Sequence, residues 1–257
     1  MKRSFCFPSI RFGVKTFSCS KRSPRPRPRS LFDPSITEAS SVITATELEH
    51  FKSLRIRDGE EIAITNGVGG VLTATVSNAA SGQLIPKSFQ VTTRSTPSIH
   101  LVQSLAKGGR DEAALQTAVE LGAASITPLQ ASRSVVEWGA KASRNQERWN
   151  QIAISAMKQS QQAFRADIKD LSTLKQLIPI GTGLVLDPQA STSIVGLELE
   201  NEVTIVVGPE GGFSQQEIDS LLSQGFLGVR LGGTILRTSS AGPAAIAALM
   251  ALSGHWS

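Results

Sequence analysis

Five apolar or β-prone residues in a row, Val203-Thr204-Ile205-Val206-Val207, run straight into Gly208-Pro209-Glu210-Gly211-Gly212. A run with no polar face reads as a strand buried on both sides, as in a parallel sheet. Ser214, followed three residues later by Glu217, is a capping box and predicts a helix start. The same strand–loop–helix rhythm recurs through the second half of the chain. "HLVQSLA" predicts a strand, "RDEAALQTAVELG" an amphipathic helix closed by Gly122, and "SITPLQ" another strand. "ERWNQIAISAMKQSQQAF" predicts a long helix. "GLVLDPQ" and "VRLGGTILR" are further strand-to-loop units, the last leading into a helix over "SAGPAAIAALMAL". Strands joined by helical crossovers predict an α/β domain whose parallel sheet carries helices on both faces.

The first half has a different period. "EEIAIT" and "VLTATV" alternate around "NGVGG", which reads as a hairpin with a Gly-rich turn. "TATELEHFKSL" is the one helix pattern there, with Thr44 or Thr46 as its cap. These elements predict a small β-barrel over 31–95, and composition changes near "TRSTPS", which places the α/β domain at 96–257.

Composition narrows the class. Of 257 residues, 40% are hydrophobic, and no apolar run approaches the ~20 residues that span a bilayer, so no membrane partner is expected. The two cysteines, Cys6 and Cys19, leave the rest of the chain without a disulfide frame or a cysteine metal site. Nine of the 26 basic residues fall in residues 1–30, which hold no acid; residues 31–257 keep 17 basic against 21 acidic residues, a net −4. The basic surplus belongs to "MKRSFCFPSIRFGVKTFSCSKRSPRPRPRS" alone. Rich in Ser and Arg and without a secretory apolar core, it has the composition of an organelle transit peptide. Its serine content points to the chloroplast, with the mitochondrion as the alternative; the other reading is an extended basic arm that binds RNA directly.

Three strands end in loops that suit close ligand approach: "LVLDPQA", "VVGPEGGFS" and "VRLGGTILRTSSAG". In open α/β sheets ligands bind at this end of the strands. The glycine spacing does not match a dinucleotide fingerprint, and no Lys-Ser/Thr pair follows to make a P-loop. His50, His100 and His255 are scattered and no HExxH occurs, which argues against a zinc hydrolase. A plain tight turn without ligand is the alternative for Gly-Pro-Glu-Gly-Gly.

"VVGPEGGFSQQEI" followed by "VRLGGTILRTSSAGPAAIAAL" resembles the last two signature motifs of the RsmE family, RNA methyltransferases of the SPOUT superfamily acting on N3 of a uridine in small-subunit (16S-type) ribosomal RNA. "LAKGGRDEAALQTAVELGAASITPLQASRSVV" and "RWNQIAISAMKQS" extend the resemblance upstream, and "LFDPSI" with "LEHFKSLRIRDGEEI" resembles the family's PUA-like RNA-binding barrel. The resemblance implies a trefoil-knotted parallel sheet, a homodimer, and a pocket for S-adenosylmethionine with no metal. Gly208, Pro209, Glu210, Gly211 and Gly212 would let the backbone approach the cofactor. Leu231, Gly232, Ile235 and Leu236 would wrap its adenine, with Leu186, Pro188, Ser240 and Ala241 completing the pocket. The partner it implies is small-subunit rRNA or the assembled small subunit, met by Lys107 and Arg133 and, on the barrel, by Arg55 and Arg57.

The reaction itself constrains the residues. A methyl group on a sulfonium is already activated, so the protein must align it and exclude water. Uridine N3 is protonated at neutral pH and lies on the Watson–Crick edge, so the base must be unpaired and must lose a proton. Arg237 is the candidate for stabilising the charge on the base, with an ion pair or a phosphate contact as its alternative roles. Glu210 is the candidate proton acceptor, or a residue that fixes the loop. Three positions depart from the family pattern: Ser239 replaces a glutamate, Thr117 a lysine, and Gln162 an arginine, with Arg165 nearby. Those departures keep two other readings open: a non-catalytic RNA-binding or ribosome-assembly protein, and a methyltransferase acting on ribose 2′-hydroxyl.

Overall fold

The computed structural model describes residues 28–254. Residues 1–27 lie outside this range, and the transit-peptide expectation lies there with them. Two sheets of different hydrophobic period make up the described residues. The first comprises β1 (Arg29–Phe32), α1 (Ala45–Leu54), β2 (Glu61–Thr65), β3 (Gly70–Asn78) and β4 (Gln83–Val91). In β3 buried and half-buried residues alternate up to Val76, the period-2 signature of a sheet with one core face. That face packs Leu31, Ile62, Ile64, Leu72 and Val76 against Phe51 of α1.

Two expectations change here. β1 starts at Arg29, inside the range read as leader. Composition alone hides this, because the Arg29 guanidinium is used structurally: it donates to the Leu54 carbonyl and lies 4.0 Å from Glu60. The sheet is also mixed and open rather than a closed barrel: β1 runs parallel to β2, the others pair antiparallel, and the order is β1-β2-β3-β4. β4 fully buries only Leu84, so no apolar face draws it round onto β1.

The second sheet comprises β5 (Ser98–Ser104), α2 (Arg110–Glu120), β6 (Ser125–Gln130), α3 (Ala142–Ser160), β7 (Asp167–Ile168), β8 (Ser172–Thr173), β9 (Thr182–Leu186), β10 (Glu202–Val207), α4 (Gln215–Ser223), β11 (Phe226–Val229) and α5 (Thr238–Leu252). Every pairing in it is parallel, in the order β11-β9-β10-β5-β6-β7, with β8 also on β6. Its faces separate by residue parity. Ile99, Leu101, Val203 and Ile205 pack with α2, α3 and α5; Val102, Val185 and Val206 pack with Leu221 of α4. Thr204, the one polar residue inside β10, donates its hydroxyl to the Ile180 carbonyl at 3.0 Å and accepts from the Ile180 amide at 2.8 Å. A strand buried on both faces therefore carries no unpaired polar group at that position.

α3 stops at Ser160, earlier than its pattern predicts, because Gln161 turns left-handed (φ 58°) and the chain extends. That extended piece docks on the "NGVGG" hairpin. The Gly69 amide and the Thr65 hydroxyl both donate to the Ala163 carbonyl, at 3.0 and 2.8 Å, and the Arg165 amide donates to Gly67 at 2.9 Å. Lys158 of α3 reaches α1 as well, 3.7 Å from Glu47 and 3.2 Å from His50. Gln162 meets α2: its side-chain amide donates to the Val119 and Glu120 carbonyls at 2.6 and 3.0 Å, satisfying the end of that helix.

Candidate functional site

Because the second sheet is parallel, the carboxyl ends of β5, β6, β9, β10 and β11 share one edge. The loop from Gly208 to Phe213 is the centre of that edge. Pro209 and Gly212 close a turn, the Gly212 amide donating to the Pro209 carbonyl at 2.9 Å. The capping box forms as its spacing predicts: Ser214 Oγ accepts from the Glu217 amide at 3.3 Å, and Glu217 Oε2 accepts from the Ser214 amide at 2.8 Å. Glu217 does more, since its Oε1 accepts from the Ser132 amide at 3.0 Å and so joins the loop after β6. Burial alone would raise this carboxyl, but the Ser214 and Ser132 bonds outweigh it and hold it below its ordinary value.

Neighbouring loops grip the same segment. Oε1 of Glu210 accepts from the Lys107 amide at 3.2 Å and from the Arg110 guanidinium at 3.3 Å. Arg133 donates to the Gly211 carbonyl at 3.2 Å. At the root of the Lys107 loop, buried Asp111 accepts from the Ala106 and Glu112 amides at 3.3 and 2.9 Å. Burial raises this carboxyl above its usual range.

The glycines divide into two kinds. A Cβ on Gly208 would sit 3.2 Å from the Phe213 ring, and one on Gly211 would sit 3.4 Å from Arg133 Cβ. Their missing side chains make room for the protein's own residues. Gly212 has φ +64°, and a Cβ on it, on Gly232 or on Gly233 would meet nothing within 4 Å. These glycines leave backbone bare toward open space.

After β11 the chain crosses this edge from Arg230 to Arg237. Arg230 pairs with the segment after β9: its amide donates to the Thr192 carbonyl at 2.9 Å, and the Ile194 amide donates to the Arg230 carbonyl at 3.1 Å. Leu231 is half-buried, whereas Ile235 is 82% exposed and Leu236 39%. Arg237 occupies the position before α5, its carbonyl accepting from the Ser240 and Ala241 amides at 2.8 and 2.9 Å. Its guanidinium has no hydrogen-bond or ion-pair partner among the described residues, and no side chain caps the helix start. An exposed cation thus stands at the positive amino end of α5, beside the Gly208 carbonyl that Thr238 holds.

The structure brings Leu186, Pro188, the Gly208–Gly212 loop and the Leu231–Ala241 segment to one edge, together with Lys107 and Arg133. Arg55 and Arg57 stand apart, exposed on the connection between α1 and β2, and no hydrogen bond among the described residues ties them to these loops. Thr117 lies exposed on α2 with its hydroxyl bonded back to the Ala113 carbonyl at 3.0 Å. Two depressions of about 400 Å³ each, one including Gly181 and Glu202, the other Pro97 and Leu252, lie at the amino ends of β5 and β10, opposite the loops. Sequence reasoning passed over two residues, Gln103 and Thr238. Gln103 is wholly buried near the end of β5, and its amide donates to the Thr238 hydroxyl at 3.0 Å; Thr238 donates to the Gly208 carbonyl at 2.8 Å. A wholly buried glutamine following Leu101 and Val102 in β5 was the available signal, since such a group requires a partner.

Comparison with known proteins places this edge in context. The sequence model of the RNA methyltransferase domain family matches residues 93–250. Ribosomal RNA small subunit methyltransferase E of Mycobacterium bovis is 32% identical over 234 residues, covering 86% of this chain and 89% of that protein. The protein of the same name from Synechocystis sp. is 29% identical over 84% of this chain and 75% of its own length. Among solved structures, ribosomal RNA small subunit methyltransferase E from Neisseria gonorrhoeae bound to S-adenosyl methionine superimposes with a TM-score of 0.79 at 28% identity, over 88% of this chain and 98% of that one. With a family match across most of its length and a relative at 32% identity, the chain belongs to the RsmE family, that of ribosomal RNA small subunit methyltransferase E.

Proposed function

We propose that this chain methylates N3 of a uridine in small-subunit ribosomal RNA, using S-adenosylmethionine and acting in the chloroplast, with the mitochondrion as the alternative. One observation carries the reading: the Gly208–Gly212 loop and the Leu231–Ala241 segment meet at one sheet edge beside an unengaged Arg237. The residues fit the cofactor, with bare backbone at Gly212, Gly232 and Gly233 and apolar side chains at Leu231, Ile235 and Leu236 for a purine. When bound, S-adenosylmethionine supplies an electrophilic methyl group on its sulfonium. The chain's own part is orientation and charge. Arg237, helped by the α5 amino end, stabilises the anion on the base as N3 gives up its proton to solvent water. Glu210, already taken up by Arg110 and Lys107, holds the loop. Lys107 and Arg133 meet RNA phosphate, and Arg55 and Arg57 extend the track over the first sheet, which serves as a PUA-like RNA-binding module.

The pairing of Arg230 with Thr192 and Ile194 supports a trefoil knot, in which the segment after β11 passes through the loop after β9. Exposed Ile235 and Leu236 support a homodimer that covers them. A second reading, a non-catalytic RNA-binding protein, is favoured by Ser239, which replaces the family's glutamate and finds no side-chain partner among the described residues. Titration with S-adenosylmethionine, then nucleoside analysis of rRNA from cells lacking the protein, tests the proposal. Micromolar binding and loss of one N3-methyluridine support it. A mark on ribose, or no binding at millimolar cofactor with RNA present, overturns it.

A further inference from the structure

We infer that Gln103, acting through Thr238, is a positioning residue that sets the separation between the Gly208–Gly212 loop and Arg237; the inference rests on the methyltransferase reading above. Gln103 is 0% exposed and follows Leu101 and Val102 in β5. Its amide donates to the Thr238 hydroxyl at 3.0 Å and to the Ser104 carbonyl at 3.2 Å. Having accepted one hydrogen bond, that hydroxyl donates onward to the Gly208 carbonyl at 2.8 Å. Its proton is thereby committed to Gly208, and each bond strengthens the next. Segments 135 and 30 residues apart in sequence meet at a single oxygen.

The geometry locates the consequence. Arg237 immediately precedes Thr238, and its carbonyl holds the first turn of α5 through Ser240 and Ala241. Pinning Thr238 pins the root of the arginine, and pinning the Gly208 carbonyl pins the start of the loop. The two halves of the site are held in register from behind by one buried side chain. The arrangement also carries a cost that packing alone would avoid: Gln103 Oε1 is buried without a partner among the described residues. A methionine would fill the same space without an orphaned acceptor. A methyl group moves in line between atoms about 3–3.5 Å apart, so a shift of about 1 Å between the halves lowers the rate on the order of 100-fold.

The test compares Thr238→Val, Thr238→Ser and Gln103→Met with wild type. The readouts are S-adenosylmethionine titration, initial rates on small ribosomal subunits lacking the mark, and amide hydrogen exchange. Thr238→Val and Gln103→Met are expected to lower turnover roughly 30–100-fold, with KM for the subunit within about threefold of wild type. Thr238→Ser, which keeps the hydroxyl, returns turnover to within about threefold. Exchange at the Gly212, Ser240 and Ala241 amides rises about tenfold in the valine variant, while β2 and β3 stay protected. Turnover within threefold of wild type in Thr238→Val, or a loss that serine does not restore, overturns the relay. If wild type transfers no methyl group, the methyltransferase reading fails, and exchange alone decides the relay; unchanged exchange sinks it. If the valine variant does not fold, Gln103→Met carries the same readouts.

Discussion

Glu210 Oε1 lies 3.3 Å from Nη1 of Arg110, and the same oxygen accepts the Lys107 amide. An acid so engaged is poorly placed to take a proton from a substrate. It joins the loop after β10 to the start of α2, some hundred residues away in sequence. Glu210→Gln keeps an acceptor for Lys107 and loses the charge for Arg110. Turnover is expected to fall less than about tenfold, and the pH–rate profile should keep its shape. A general base would cost about 100- to 10,000-fold and remove one limb of the profile. Single-turnover rates between pH 6 and 9 separate the two.

Arg237 is the opposite case, an exposed guanidinium with no hydrogen-bond or ion-pair partner among the described residues, at the amino end of α5. If it stabilises the anion that forms on the base as N3 loses its proton, Arg237→Met should lower turnover by about 100- to 1,000-fold. Affinity for S-adenosylmethionine should stay within about threefold. A phosphate contact instead predicts weaker RNA binding and unchanged turnover at saturation, with a shallower dependence on salt.

Gly208 has a ring where its side chain would be, Phe213 at 3.2 Å. Gly208→Ala must push that ring or the loop aside by a few tenths of an ångström. We expect S-adenosylmethionine binding to weaken about tenfold, and the double variant Gly208→Ala/Phe213→Leu to recover most of it. Calorimetric titration of the four proteins closes this cycle. Failure of the double variant to recover would show that Phe213 is not what the glycine accommodates.

How much of this was legible in the sequence depends on the range of the interaction. β10, β6 and the Ser214 capping box were readable because periodicity and capping are local. The grouping of the Gly208 and Leu231 loops followed from parallel strands, which put every carboxyl end at one edge. What escaped was non-local. Phe213 under Gly208, Glu217 on Ser132 and Gln103 on Thr238 are contacts that no spacing encodes. Residues 67–69, read as a turn, proved to be a docking surface for Ala163 and Arg165. The early end of α3 follows from that same contact.

That docking makes a stability prediction. Gly69 has φ +102°, and a Cβ there would lie 2.6 Å from the Thr92 carbonyl and 2.8 Å from the Phe164 ring. Gly69→Ala should cost roughly 1–3 kcal/mol from backbone strain alone, and the clash adds to it. Since the hairpin joins the two sheets, urea unfolding followed by the tryptophans, all of which lie in the second half of the chain, should separate from unfolding followed by circular dichroism. Wild type should show one shared transition.

The last prediction concerns pH and lies away from the loops. His100 lies near the start of β5, its Nδ1 2.8 Å from the Ser125 hydroxyl and its Nε2 3.6 Å from Glu202, beyond hydrogen-bond length. Burial disfavours the imidazolium and lowers the pKa from its ordinary 6.5; Glu202 pulls the other way, while Lys169 and Arg94 add to the lowering. The unfolded chain therefore binds this proton more readily than the folded one. Stability from His100 is complete above pH 6.5 and declines as pH falls toward the folded pKa. Asp33 and Glu217, both held below their ordinary 3.8 and 4.5, lose their contribution only at lower pH. Asp111, raised above 3.8, has the opposite sign, its effect being lost as pH rises. Urea midpoints measured from pH 5 to 7.5 should climb with pH in wild type. In His100→Gln, which keeps a partner for Ser125 without titrating, the climb should flatten. An equal slope in both proteins would assign the pH dependence to other groups.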